Sequence, residues 1–169
     1  MSRMLNRRQA GGDKVPQPMN EEAPMKTLTF DITVRAPRST VWATMLDPAG
    51  YRAWTSAFAQ GSHFVGSWDQ GAKILFLSPS GDGMVSEIAE HRPEAFVRIR
   101  HLGMIENGVE DTTSDKVRAW APADETYRLL DVPGGCQLVV TLDTAAEWEQ
   151  YMLDSFPKAL ALLKGLCER

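Results

Sequence analysis

A chain of 169 residues with a formal net charge of -4 suits one domain, and folding at that size buries about 68–70% of the unfolded surface, enough for a sizeable core or an internal cavity. The acidic balance argues against nucleic acid as a partner, since that requires a basic patch or stripe, and no apolar run is long enough for a membrane span. Cys136 and Cys167 stand far apart with no CxxC spacing, so neither a zinc site nor a disulfide framework is indicated.

Residues 1–24 carry Gly11, Gly12, Pro16, Pro18, Glu21 and Glu22 and read as a disordered N-terminal extension. Arg3, Arg7 and Arg8 do not make a targeting peptide of it, and the start lacks the apolar core of a secretory signal. With reduced thiols, this points to a cytoplasmic protein whose domain occupies residues 25–169. Phe30, Ile32 and Val34 alternate with polar neighbours at the period of a half-buried strand. Pro37 stops that strand and suits the first turn of a helix carrying Val41, Trp42, Met45 and Leu46. Asp47 is placed to cap a second short helix, with Pro48 in its first turn and Tyr51 and Trp54 on one face.

Six apolar runs follow, at 62–65, 73–77, 84–90, 95–105, 125–131 and 137–143, separated by turn-forming stretches such as Ser80-Gly81-Asp82-Gly83 and Gly134-Gly135. They predict an antiparallel meander. The longest connection, 107–124, is a candidate cavity rim. The chain then closes with a long helix whose apolar stripe comprises Trp148, Tyr151, Met152, Phe156, Ala159, Leu160, Leu163 and Leu166, with Glu147 and Glu149 in its first turn. Pro157 is expected to kink it. Large rings close cores, which is the plain expectation for Trp42 and Trp148.

Alternation on the strand from Ala95 puts Val97, Ile99, His101 and Gly103 on one face, with Arg98, Arg100 and Leu102 on the other. His101 is therefore expected to point inward, as a satisfied core histidine or as a polar anchor in a cavity. Glu125, Tyr127 and Leu129 share a face in the same way, and a carboxylate so placed must be paired or protonated. Trp54, Phe58 and Trp68, near Gly61, Gly66 and Gly71, are expected at a ring-lined pocket mouth, with the glycines permitting tight turns. The glycines of 61–67 lack the lysine of a phosphate loop, GxSxG, HExxH and GxGxxG do not occur, and His63, His91 and His101 lack metal-ligand spacing. No cofactor, no metal and no catalytic residue is assigned.

The segment from Ile32 to Trp54, together with Phe58-Ala-Gln-Gly-Ser62, Gly66-Ser-Trp-Asp-Gln-Gly71, Gly83-Met-Val-Ser-Glu-Ile88, His101-Leu-Gly103, Trp120, Glu125-Thr-Tyr127 and Pro157-Lys-Ala-Leu160, resembles the SRPBCC (START-like) superfamily. Within it, the chain is similar to proteins like the C-terminal domain of the activator of heat-shock protein ATPase. The resemblance implies an α+β helix-grip fold: a curved antiparallel β-sheet wrapped around a long C-terminal α-helix, with two short helices after the first strand. It also implies a cavity between sheet and helix that binds a small hydrophobic molecule, through His101, Glu125, Tyr127, Trp54, Phe58, Trp68, Met152, Phe156 and Leu160. Two alternatives stand beside that reading, a co-chaperone-like module with a chaperone as partner, and a cyclase or hydrolase using His101 and Glu125. Monomer and homodimer are both open.

Overall fold

The computed structural model describes residues 25–169; the expected extension, residues 1–24, lies outside the described residues. Strand β1 (Met25–Val34) leads into two short helices, α1 (Arg38–Leu46) and α2 (Pro48–Thr55). Next come β2 (His63–Gly66), β3 (Lys73–Leu77), β4 (Gly83–Arg92) and β5 (Phe96–Glu106). A short strand β6 (Val109–Asp111) and one helical turn, α3 (Asp115–Arg118), precede the hairpin of β7 (Ala123–Val132) and β8 (Gly135–Ala145). A 3-10 turn (Ala146–Trp148) then opens the C-terminal helix α4 (Glu149–Cys167). All strand pairs are antiparallel, in the order β1-β8-β7-β5-β4-β3-β2, with β6 paired to β5. This is the helix-grip architecture.

Asp47 does two jobs at the first corner. Its backbone N–H donates to Ala43 and ends α1, while its carboxylate accepts from the N–H groups of Ala49 (3.1 Å) and Gly50 (3.4 Å) and begins α2. The two helices meet so closely that a Cβ on Gly50 would stand 2.0 Å from the Thr44 carbonyl oxygen, which only glycine tolerates. The corner aims α2 across the sheet, and the Trp54 indole locks it there by donating to the Met45 carbonyl at 3.1 Å.

Helix α4 buries Phe156, Ala159, Leu160 and Leu163 against β1 and the short helices. Phe30 of β1 stacks on Phe156 at 4.9 Å, and Val34, Val97, Leu138 and Val140 complete the core beneath, each fully buried. Burying an aliphatic or aromatic side chain of this size contributes roughly 1.5–3 kcal/mol. Cys136 and Cys167 belong to the same core, and burial pushes both thiols up. Helix α4 runs on through Pro157, a half-turn expected to kink. Pro157 is exposed, and the carbonyl that its missing N–H leaves free, that of Leu153, lies on the solvent side where water can satisfy it.

Two expectations are corrected here. Trp148 does not close the core: it lies in the 3-10 turn ahead of α4 and is 53% exposed. Its neighbour Tyr151, at 40%, is also outside, and the buried residues of α4 begin one turn later, at Ser155 and Phe156. Among the described residues no helix is long and apolar enough to cross a membrane.

Replacing Asp47 by Ala is expected to destabilise the fold by about 1 kcal/mol, the usual worth of an N-cap, with Asp47→Asn close to wild type. Urea unfolding of the three proteins measures this; equal midpoints would show that the corner is held by packing alone.

Candidate functional site

Between the sheet, α2 and α4 lies a cavity of about 390 Å³. Aromatic rings form a large part of its walls. Tyr51 of α2 is the hub, meeting Trp54, Phe64, Phe76 and Trp68 at centroid distances of 5.6, 5.1, 6.0 and 6.3 Å. Phe58 stands edge-on to Phe156 of α4 at 4.9 Å, and Met152 fills in one turn before it. Contacts of this kind fix ring orientations as well as burying area.

The polar part comes from three adjacent strands. A register shift between Val85 and Ser86 sets Ser86 of β4 opposite His101 of β5, and Ile99 of β5 faces Glu125 of β7. The result is a continuous hydrogen-bonded row. Ser86 Oγ lies 2.7 Å from His101 Nδ1, His101 Nε2 lies 3.1 Å from Glu125 Oε1, and the Tyr127 hydroxyl donates to Glu125 Oε2. A carboxylate can only accept, so His101 carries a proton on Nε2; in the neutral ring Nδ1 then accepts from Ser86. His101 and Glu125 are thus in direct contact.

Access distinguishes the members of this row. His101, Glu125 and Tyr127 line the cavity, whereas Ser86 is fully buried behind His101 and does not. The order Ser-His-Glu therefore does not present a serine nucleophile: the hydroxyl is spent orienting the imidazole. The Glu125 side chain retains 18% exposure. Burial, reinforced by the Glu125 carboxylate, pushes the Tyr127 and Tyr51 phenols well above the ordinary phenol range. Both stay neutral, and the Tyr127 hydroxyl is the donor to Glu125.

Of the residues assigned to ligand from the sequence, His101, Glu125, Tyr127, Trp54, Phe58, Trp68, Met152 and Phe156 all line this one cavity. Leu160 does not. It is 2% exposed and points one turn further along α4 into the core, against a separate shallow groove beside Phe30 and Pro157. Trp54, expected at the mouth, is instead 2% exposed and sits deep; the exposed lining residues Trp148 and Tyr151 mark the opening. The 107–124 connection is not a rim. Its β6 pairs back onto β5, and no residue from it lines the cavity. The rim is formed instead around the β3–β4 turn, by Ser78, Asp82 and Gly83.

Tyr51, Phe76 and Ser86 were not singled out for the site. Phe76 follows from alternation with Ile74, and Tyr51 from its shared face with Trp54, but Ser86 depends on a register shift that carries no composition signal. His63 and His91 have structural partners, their Nδ1 atoms lying 3.0 Å from the Gly61 carbonyl and 2.6 Å from the Trp68 carbonyl. Gly61, Gly66 and Gly71 all adopt positive φ, the turn role expected of them.

The two raised phenols carry a pH signature. A proton held more tightly in the folded than in the unfolded chain adds stability that is complete below the free phenol value of about 10 and is lost as pH rises beyond it. Tyr51 and Tyr127 should therefore ionise together with unfolding. Phenolate absorbance and circular dichroism followed above pH 10 measure this; phenolate from either residue in the folded protein would contradict it.

No protein-family model matches the chain, and no curated protein sequence does. Solved structures do match. The Aha1 dimer from Colwellia psychrerythraea is 14% identical with a TM-score of 0.65, over 85% of this chain and 96% of that one. CalU16 from Micromonospora echinospora is 17% identical with a TM-score of 0.60, over 85% and 76%. Protein CV1439 from Chromobacterium violaceum is 17% identical with a TM-score of 0.62, over 85% and 97%. Identities at this level speak for the fold alone: the chain shares the fold of these structures, the helix-grip architecture that its sequence resemblance implied.

Proposed function

We propose that this protein binds a small hydrophobic molecule in the cavity between the sheet and α4. One observation carries the reading: about 390 Å³ of space walled by aromatic and aliphatic side chains, with a hydrogen-bonded polar cluster, His101, Glu125 and Tyr127, in its wall and a few further polar groups, Ser62, Ser78 and Asp82 among them. Ligand sites have this composition, an apolar wall for affinity and a few placed polar groups for orientation. The volume lies within the range of about 300–1,000 Å³ usual for small-molecule pockets.

Native mass spectrometry of protein purified without denaturation is the direct test, with a co-purified small molecule as the expected outcome. Titration with anilinonaphthalenesulfonate provides a second readout. A probe present at a hundredfold excess over its dissociation constant should stabilise the fold by about 2.7 kcal/mol. Met152→Trp, which fills the space, should abolish that gain, while Met152→Ala should keep it. Equal stabilisation of both variants would place the probe outside the cavity and defeat the proposal.

A second reading, proton transfer on the bound molecule, is favoured by the direct His101–Glu125 hydrogen bond, 3.1 Å long, with the far imidazole nitrogen held by Ser86. An imidazole so oriented, beside a carboxylate, is the arrangement general acid–base chemistry uses. The two readings separate on the fate of the molecule. For plain binding, a recovered ligand returns unchanged after incubation, and Glu125→Gln alters which molecules bind. For catalysis it is converted, and Glu125→Gln stops the conversion while binding persists. If Glu125→Gln costs about 1–3 kcal/mol of stability and changes neither selectivity nor turnover, the cluster is structural only.

A further inference from the structure

We infer that the molecule taken up by the cavity carries a hydroxyl group on its apolar body, and that Tyr51 and Glu125 recognise it together, the ligand hydroxyl donating to a Glu125 oxygen and accepting from the Tyr51 phenol; the inference rests on the ligand-binding reading above. The chain has three tyrosines, and two are engaged. The Tyr127 hydroxyl donates to Glu125 Oε2, and the Tyr151 hydroxyl donates to the Phe58 carbonyl at 2.7 Å. The Tyr51 hydroxyl makes no hydrogen bond with any of the described residues, yet it is not sealed. Among those residues, Trp68 Nε1 is the one side-chain nitrogen or oxygen that lacks both a partner and accessible surface. Tyr51 is half-buried and lines the cavity, so its free hydroxyl remains within reach of a bound molecule.

The Tyr51 ring is tied to the Glu125 cluster on two sides. Trp54 packs on Tyr51 at 5.6 Å and on Tyr127 at 6.2 Å, while Phe76 packs on Tyr51 at 6.0 Å and on His101 at 5.8 Å. Tyr51 thus shares one ring neighbour with each of the two groups that hold Glu125. Burial and then the Glu125 carboxylate push its phenol up, and Tyr51 acts in turn on Tyr127, which puts the hydroxyl end on the Glu125 side of the cavity. A phenol wedged among rings with its hydroxyl free is preorganised for recognition, because little side-chain freedom is left to lose on binding.

The class of ligand follows from what the two groups offer. A carboxylate has about four acceptor sites, and His101 Nε2 and the Tyr127 hydroxyl occupy one on each oxygen. The Glu125 side chain keeps 18% of its surface on the cavity, so further acceptor capacity faces the ligand. A group placed against it must donate. Tyr51, held protonated, supplies a hydroxyl that can donate to the same ligand atom. A ligand hydroxyl serves both at once. A carbonyl or ether oxygen sets a second acceptor against the carboxylate, and a plain hydrocarbon displaces water from both groups without replacing its bonds.

Naphthalene, 2-naphthol and 2-methoxynaphthalene share one body and separate these cases, with affinities read at neutral pH by displacement of anilinonaphthalenesulfonate. Wild-type protein should bind 2-naphthol about tenfold more tightly than either of the others. Tyr51→Phe should bring 2-naphthol close to the affinity that the same variant shows for naphthalene. Its melting temperature without ligand should match wild type, because the oxygen removed holds nothing in the fold; a loss of several degrees would give that hydroxyl a structural role and overturn the assignment. If 2-methoxynaphthalene matches 2-naphthol on the wild type, or the preference for 2-naphthol survives Tyr51→Phe, the joint recognition of a hydroxyl is overturned while ligand binding stands. If none of the three binds, the ligand-binding reading fails and this inference fails with it.

Discussion

A carboxylate placed in an apolar wall has to be satisfied from within the fold, and Glu125 imposes that demand on three strands at once. One oxygen takes the His101 Nε2 proton and the other takes the Tyr127 hydroxyl, while Ser86 holds the far side of the imidazole. Each partner arrives from a fixed strand position, so a slip of β4 or β7 by one residue would leave a buried charge unpaired, a loss of several kcal/mol. The apolar residues around the row tolerate exchange of shape for shape; the row does not. The polar cluster therefore contributes specificity of register to the same sheet whose inner surface forms the cavity.

The outer face handles its charges differently. Arg98 and Arg100, one residue out of phase with His101, reach Asp124 at 3.3 and 3.4 Å, and Arg100 also meets Glu87 at 3.6 Å. These pairs are well solvated, and such bridges contribute about 0–1 kcal/mol each. Three guanidiniums, those of Arg92, Arg98 and Arg128, lie within 5.0, 5.7 and 4.7 Å of the Phe96 ring and cover it from solvent. Polar groups on one side of β5 are interchangeable cover, and on the other side they are a single connected network.

Much of this was legible in the sequence because the signals involved are local. Alternation along β5 and β7 was enough to turn His101, Glu125 and Tyr127 inward, and Asp47-Pro48 marked the helix corner through cap chemistry alone. The errors share one cause, that position along an element does not say what lies opposite it. Trp148 and Leu160 both read as members of one apolar stripe, yet Trp148 lies exposed in the 3-10 turn ahead of α4 and Leu160 packs into the core outside the cavity lining, and only the packing of α4 against β1 tells them apart. Ser86 was hidden for a related reason. Its place opposite His101 depends on the shift between Val85 and Ser86, a property of two strands together. The 107–124 connection read as a long rim because β6 is three residues long and makes its pairing with β5 without a periodic pattern of its own.

The cavity itself bears on how the fold remains stable. Empty apolar space costs about 24 cal/mol per Å³, so 390 Å³ left dry would cost on the order of 9 kcal/mol, comparable with the whole stability of an ordinary domain, about 5–15 kcal/mol. A sealed, vacant version of this site is therefore untenable. The exposed pair Trp148 and Tyr151, packed edge to face at 6.0 Å, leaves the space open to solvent, and the Tyr151 hydroxyl reaches back to the Phe58 carbonyl at 2.7 Å to hold that opening. Water that enters meets apolar side chains on most sides, with polar partners at the rim and at the Glu125 cluster. The exposed position of Trp148 and Tyr151 at the opening is thus what makes a cavity of this size compatible with a folded chain.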